Sequence, residues 1–327
     1  MIVLSGIQPS GQLHIGNYIG ALSGWVQQQG EHRNFLFIAD LHAATIPEEL
    51  PGSDIRQASR EAAALYLASG LDPQQSVIFL QSDVAEHPYL GWLITCMSPL
   101  GWLDRMTQFK SKSARREVIG AGLYTYPCLQ AADILLYDAD YVPVGDDQRQ
   151  HVEFARDVAQ RFNAMFGECF KIPQPLIRAA GARIMGLDNP EEKMSKSVGT
   201  KQTGHAVFMR DDPDTVRRKF QRAKTDSGGP ITFAEASPGV RNLLAIYEVL
   251  SGEARAMIER RFAGRGYKAL KDAAAEAVIA AMAPIQARYR QLMEDRGYLD
   301  SVLRLGAEQA QAVAQKTLER ARRAMKI

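Results

Sequence analysis

The chain has 327 residues, of which 46% are hydrophobic and 23% charged, and a formal net charge of +2. That length and make-up describe a folded protein with a well-buried core, large enough for one main domain and a smaller one. No apolar run approaches the roughly 20 residues that span a bilayer, no basic-then-apolar leader suggests export, and with a charge so near zero any nucleic-acid surface must be local.

The cysteines, Cys96, Cys128 and Cys169, are far apart and odd in number, without metal-type spacing. They read as reduced thiols of a cytoplasmic protein. Ile2-Val3-Leu4 reads as a buried strand; Gly6, Pro9 and Gly11 then break regular structure, and a helical pattern resumes from His14. Strand, Gly-rich turn and helix start form an arrangement in which backbone N–H groups and a helix dipole meet a phosphate. Gly16 has no Cβ to keep a nucleotide from the backbone, and His14 and Asn17 share one helix face. Alone, the stretch is equally a plain strand–turn–helix.

Asn34 to Ala39 (NFLFIA) is the second buried strand, and Asp40-Leu41-His42-Ala43 follows its C-terminal end, where open α/β sheets bind ligands. Ser53 to Gly70 has helical periodicity, with Ser53 and Asp54 as cap candidates. Val77 to Leu80 is the third strand, and Gln81-Ser82-Asp83 leads into another helix. Strands alternating with helices predict an α/β, Rossmann-like parallel sheet. No internal repeat or low-complexity linker interrupts it.

Gly101 to Gly122 is polar and basic, with Lys110, Lys112, Arg115 and Arg116 between helical patterns. Such a charge run is either a solvated face or a mobile segment whose lysines reach a triphosphate. Within LYTYPCLQAADILLY (Leu123 to Tyr137), Asp133 sits among apolar residues at helical spacing. A carboxylate there must be paired, hydrogen-bonded or neutralised, because an unpaired buried charge costs several kcal/mol. It is either a core acid satisfied by its neighbours or the acceptor for a ligand N–H, of which an indole has one.

Val142 and Val144 flank a proline in a short strand, and Gly145 allows a tight turn before Asp146-Asp147. These acids with His151 do not make a metal site, since adjacent side chains point in different directions. In Ala179 to Ser197, Gly181, Gly186 and Pro190 mark a loop-rich hinge. Lys193 and Lys196, three apart on that loop, are either a surface pair or a movable clamp on pyrophosphate oxygens. Asp214–Ala223, Gly239–Leu250, Ala254–Phe262 and Tyr267–Ala283 follow as helices, broken at Thr225–Phe233.

Two strings tip these balances. His14-Ile15-Gly16-Asn17 and Lys193-Met194-Ser195-Lys196-Ser197 resemble, in order and separation, the two signatures of the class I aminoacyl-tRNA synthetases. The AADILLY and VPVGDDQ strings, MTQFK with KSA, TDS and PGVRNLL further resemble the bacterial tryptophanyl-tRNA synthetases, over nearly the whole chain. The resemblance implies a Rossmann-like catalytic domain over 1–192 that binds ATP and tryptophan and carries a dimer interface. It implies a KMSKS loop with an all-helical anticodon-side domain over 193–290, and C-terminal helices over 291–327 packing back toward the catalytic domain. The implied activity is a tryptophan–tRNA ligase. It makes tryptophanyl-adenylate and pyrophosphate, then transfers tryptophan to the 3′ end of tRNA(Trp). The enzyme would be a cytoplasmic homodimer with no membrane association and no tightly bound cofactor, Mg²⁺ arriving on the ATP phosphates.

Site roles follow from the same resemblance. Lys193, Lys196 and Lys112 would stabilise charge on the phosphates. ATP would meet Gln8, Ser10, Gly11, His14, Gly16, Asn17, Gly145 and Asp147, together with Lys193, Met194, Ser195, Lys196 and Ser197. Asp133 would accept the indole N–H, Tyr126 would hold the amino-acid end, and Gln148 would contact the substrate's backbone groups. His42, Gln130, Val142, Val144, Leu4 and Gly6 would complete the tryptophan pocket. Gln130 departs from the family's usual methionine, and Val198-Gly199 from its usual acidic residue and neighbour. Arg217, Arg218, Lys219, Arg222 and Lys224, with Arg320, Arg322, Arg323 and Lys326, are candidates for tRNA phosphates. A tyrosine-specific enzyme and a non-catalytic paralogue that binds RNA or tryptophan are the alternatives. The two strings around Asp133 and Gln148 disfavour the first, and the intact lysine pair disfavours the second.

Overall fold

A computed structural model describes residues 1–9, 12–46, 54–114, 117–145, 148–177 and 183–327. Among them, β1 (Ile2–Ile7), β2 (Arg33–Ile38), β3 (Ser76–Leu80), β4 (Tyr141–Val144) and β5 (Gln174–Ile177) form one sheet in the order β3-β2-β1-β4-β5. Every pair is parallel, with Leu4 opposite Phe35, Phe35 opposite Val77, Val3 opposite Tyr141 and Val142 opposite Pro175. Strands covered on both faces read as unbroken apolar runs, which is why β1 to β3 stand out in the sequence. β5 does not: four residues that include a proline give no such run, and only pairing with β4 defines it as an edge strand. The direction of strand addition reverses between β1 and β4, so a crevice opens beyond their C-terminal ends.

After β1 come α1 (Ile15–Asn17), a π-helical turn (Tyr18–Leu22) and α2 (Ser23–Gln28). β2 leads into α3 (Asp40–Ala43) and α4 (Ile55–Ala68), whose N-cap Asp54 accepts the Gln57 N–H at 2.8 Å. Ile19, Leu22 and Trp25 join Ala62 to Leu67 of α4 over Leu36, Ile38 and Ile78 on one face of the sheet. The other face, with Leu4, Phe35, Phe37, Val77 and Phe79, is covered by α5 (Glu86–Met97), α8 (Ala121–Leu135) and α9 (Arg149–Phe166).

The described part of Gly101–Gly122 is more regular than its composition suggests. It lies largely in α6 (Leu100–Asp104) and α7 (Thr107–Ser113), so Lys110 and Lys112 stand on a helix. Tertiary contacts hold α7: the Phe109 ring meets Tyr124 edge-on at 5.0 Å, and the Thr107 N–H bonds Gln150 Oε1 at 2.9 Å.

The remaining helices are α10 (Lys196–Lys201), α11 (Pro213–Gln221), α12 (Pro238–Ser251), α13 (Arg255–Phe262), α14 (Tyr267–Glu294) and α15 (Arg296–Met325). α14 does not end near Ala283 but runs on through Pro284. An interior proline weakens a helix; burial of Ile285, Tyr289 and Leu292, and the Gln286 amide on the Met209 and Asp211 carbonyls, hold the second half. The core on the α4 side continues without a break through Ile184, Met194, Val207 and Phe220 into Leu243, Ile258 and Leu270. α15 returns to cover the edge strand β3, so closely that a Cβ at Gly306 would stand 1.9 Å from the Ile78 carbonyl oxygen. The α11 basic residues are partly neutralised within the fold. Arg217 pairs with Glu276 and Asp214, and Lys219 with Asp211, while Arg218, Arg222 and Lys224 are exposed.

Candidate active site

The first signature string lies just beyond β1 and is stitched to the chain that follows the second. Ile15 N–H bonds the Val207 carbonyl at 2.9 Å, and Met209 N–H bonds the Leu13 carbonyl at 2.8 Å. Asn17 Oδ1 accepts the His14 N–H at 3.0 Å and so caps the helix start. The His14 ring is buried, its Nδ1 lacks a hydrogen-bond partner among the described residues, and it lies over Gly16, where a Cβ would approach Nδ1 to 2.9 Å. The room left by Gly16 is therefore filled by this imidazole. Burial, then Lys196, Lys193 and His205, push its pKa down to about 3, so it is neutral at ordinary pH.

Lys196 opens α10 and reaches back across the crevice to donate to the Gln8 carbonyl at 2.7 Å. Burial lowers its pKa to about 8. Ser195 caps α10 and accepts the Val198 N–H at 3.4 Å. Met194 is buried in the core and its N–H bonds the Ile184 carbonyl, so it anchors the loop, while Lys193 is exposed. The expected hinge is thus pinned on its described side: Asn242 also bonds both the N–H and the carbonyl of Met185. Gln8, Pro9 and Leu13, with Ala58 and Glu61 of α4, Lys196 and Arg210, line a cavity of about 470 Å³. Arg210 pairs there with Glu61 at 3.1 Å.

Asp133, on α8, is 1% exposed and carries a network that the sequence reading missed. Gln81 Nε2 and His87 Nδ1 donate to its Oδ1 at 2.7 and 2.6 Å, and His42 Nε2 donates to Oδ2 at 2.8 Å. With its Nδ1 hydrogen on the carboxylate, His87 accepts the Tyr137 hydroxyl at Nε2, 2.7 Å away. Burial opposes ionisation of Asp133, but the bonds from His42 and His87 outweigh it and hold the carboxyl at about 2. A carboxylate has about four acceptor positions; three are filled, and one on Oδ2 remains for a further donor. Gln81 directly follows β3, so the rule that singled out His42 after β2 also covers it. His87 and Tyr137 offered no local signal.

Tyr126, also on α8, bonds His151 Nε2 through its hydroxyl at 2.6 Å, and the Lys112 ammonium lies 5.5 Å from its ring centroid. His42 meets the same ring edge-on at 6.4 Å. Lys112, Tyr126, His42 and Asp133 thus form a continuous line from the surface into the core. Gln130 is half-buried on α8; Val142 is buried and Val144 half-buried on β4. Leu4 belongs to the core, and Gly6 makes room for Phe37, whose ring a Cβ would meet at 2.8 Å. Gln148 precedes α9, its N–H on the Gly145 carbonyl at 2.9 Å. Ser10, Gly11 and Asp147, and the Ser197 side chain, lie outside the described residues. Among the described residues, no group of three or more His, Cys, Asp or Glu side chains is arranged to hold a metal ion, and no helix is long and apolar enough to cross a membrane.

Comparison with known proteins places this geometry. Residues 1–283 match the family model described as tRNA synthetases class I (W and Y). A curated relative from Helicobacter pylori, named tryptophan–tRNA ligase, is 46% identical over 324 residues, covering 99% of this chain and 98% of that protein. The crystal structure of a tryptophanyl-tRNA synthetase from Mycoplasma pneumoniae superposes with a TM-score of 0.91 at 37% identity, covering 100% of this chain and 97% of that one. That of the Campylobacter jejuni tryptophanyl-tRNA synthetase, complexed with ADP and tryptophan, gives a TM-score of 0.84 at 35% identity, with 100% of both chains covered.

Proposed function

The chain belongs to the class I tRNA synthetases of the W and Y family, and we propose that it is the tryptophan–tRNA ligase that its two signature strings describe. The observation that carries this reading is the bond from Lys196 to the Gln8 carbonyl, 188 residues away, which holds the second string across one crevice from the turn that leads into the first. A neutral His14 beside two lysines suits a site for anionic phosphates, because it neither competes for them nor repels the lysines.

The tryptophan carboxylate attacks the α-phosphorus of ATP, the bond to the β-phosphate breaks, and tryptophanyl-adenylate and pyrophosphate form. The terminal ribose hydroxyl of the tRNA then attacks the acyl carbon and AMP leaves. Neither step needs a protein nucleophile, so catalysis is positioning and charge stabilisation. Lys193 and Lys196, with Lys112 from α7, take the phosphate charge, and Mg²⁺ enters with the ATP. The nucleotide is assigned to Gln8, His14, Gly16, Asn17 and Gly145; Ser10, Gly11 and Asp147 carry the same assignment from the sequence strings alone. The indole N–H goes to the fourth acceptor position of Asp133, with Tyr126, Gln148, His42 and Gln130 around the amino acid.

The proposal extends to a cytoplasmic homodimer and to tRNA(Trp), with a catalytic part over 1–192, a helical anticodon-side part over 193–290 and the returning helices over 291–327. Exposed Tyr89 and Trp92 on α5 and Leu100 on α6 support a partner on that face.

ATP–pyrophosphate exchange with each of the twenty amino acids singly tests the reading. Exchange that depends on tryptophan alone is expected. Dependence on tyrosine would move the specificity to the other branch of the family, and no exchange with any amino acid would remove the catalytic reading.

A further inference from the structure

His205 belongs to neither signature string and was not singled out by any local pattern, yet it is fully buried directly behind the lysine loop. Its Nδ1 lies 2.7 Å from Asp188 Oδ1, and its Nε2 lies 3.3 Å from the backbone carbonyl of Lys193. Both partners only accept, so bonding both at once calls for a hydrogen on each ring nitrogen. Backbone hydrogen bonds tie together the segments around it. Leu187 N–H bonds the His205 carbonyl at 3.0 Å, Gly186 N–H bonds the Glu192 carbonyl at 2.8 Å, and Met194 N–H bonds the Ile184 carbonyl at 3.0 Å. Gly186 packs flat on the imidazole, where a Cβ would come within 2.3 Å of Cε1.

We propose that the Asp188–His205 pair is a positioning device for the activation reaction: an imidazolium clamped by Asp188 holds the Lys193 carbonyl and thereby sets where the Lys193 ammonium can reach. The inference rests on the reaction proposed above. It goes beyond it by assigning a role to two residues outside the signatures and by giving the lysine loop a charged support from below. A charge-assisted bond is stronger than a neutral one and suits a loop whose lysine must hold its place against the pull of the phosphates. Misplacement of a catalytic group by about 1 Å costs up to about 100-fold in rate.

Three measurements on the full-length protein test it. Tryptophan-dependent exchange by the unaltered enzyme comes first, because its absence refutes the proposed function and not this pair. Asp188→Asn keeps the shape of the carboxylate and removes its charge; His205→Gln keeps a donor in place of Nε2 and loses the link to Asp188. Both are expected to lower kcat for exchange about 10- to 100-fold, with the KM for tryptophan unchanged. Nitrogen-15 NMR of the unaltered protein is expected to show His205 with both ring nitrogens protonated, a signature independent of activity and of whether either variant folds. A neutral His205, unaltered kcat in Asp188→Asn, or a loss spread equally over kcat and tryptophan KM each overturns the proposal.

Discussion

Asp133→Ala separates the structural work of the carboxylate from the ligand role proposed for it. In the folded chain it accepts three buried hydrogen bonds, from His42, Gln81 and His87, at 2.6 to 2.8 Å. Alanine removes every acceptor and leaves the three donors facing apolar surroundings. Each stranded donor costs about 1–3 kcal/mol, so the three together cost about 3–6 kcal/mol once local relaxation is allowed. Against a total stability of about 5–15 kcal/mol this is severe, and at about 2 °C per kcal/mol it lowers the melting midpoint by about 6–12 °C. The ligand role is read separately, by tryptophan titration well below that midpoint. Loss of an ionised acceptor is worth about 1.5–3 kcal/mol, an affinity lower by about 10- to 100-fold. Saturation by ATP should be unaffected. The pH dependence has a definite sign. The carboxyl titrates at about 2 in the folded chain against 3.8 ordinarily, so its contribution is full above about pH 4 and is lost as the pH falls toward 2. The variant therefore lacks that acid-labile component. A midpoint within about 1 °C of the parent would refute the network, and unchanged tryptophan affinity would refute the indole contact.

Two further outcomes are expected. The buried Lys196 ammonium, lowered to about 8 from its ordinary 10.5, makes kcat/KM for ATP fall as the pH rises through about 8, since that parameter reports the free enzyme. The sign for stability is opposite: between about 8 and 10.5 the unfolded chain binds the extra proton, so stability rises with pH. A flat kcat/KM profile between about pH 7 and 9 sinks the assignment, whereas Lys196→Arg should abolish the falling limb. Gly306→Ala drives a methyl into the Ile78 carbonyl, which cannot swing away because Ile78 is held opposite Leu36 in the ladder. Urea unfolding should show a loss of about 1–3 kcal/mol, and a neutral result would mean that α15 does not press on β3.

Strand identity, the caps and the two signature strings are local facts. A run such as NFLFIA, an aspartate before α4, or two lysines three apart is complete within a short window. By itself the sequence determined the parallel α/β class and the first four strands, and it named the side chains to which the chemistry is assigned. It also showed that Asp133 needed partners. Only the tertiary structure decided who those partners are, since Gln81, His87 and His42 lie 52, 46 and 91 residues from Asp133 along the chain. The same holds for the proline-bearing strand β5, defined by its neighbour, and for α14, carried through Pro284 by burial of its far end. It holds equally for His205 beneath Lys193 and for Lys196 on the Gln8 carbonyl. A hydrogen-bond partner is chosen by where the chain returns after folding, and that return is set by the joint burial of surfaces that no local window contains.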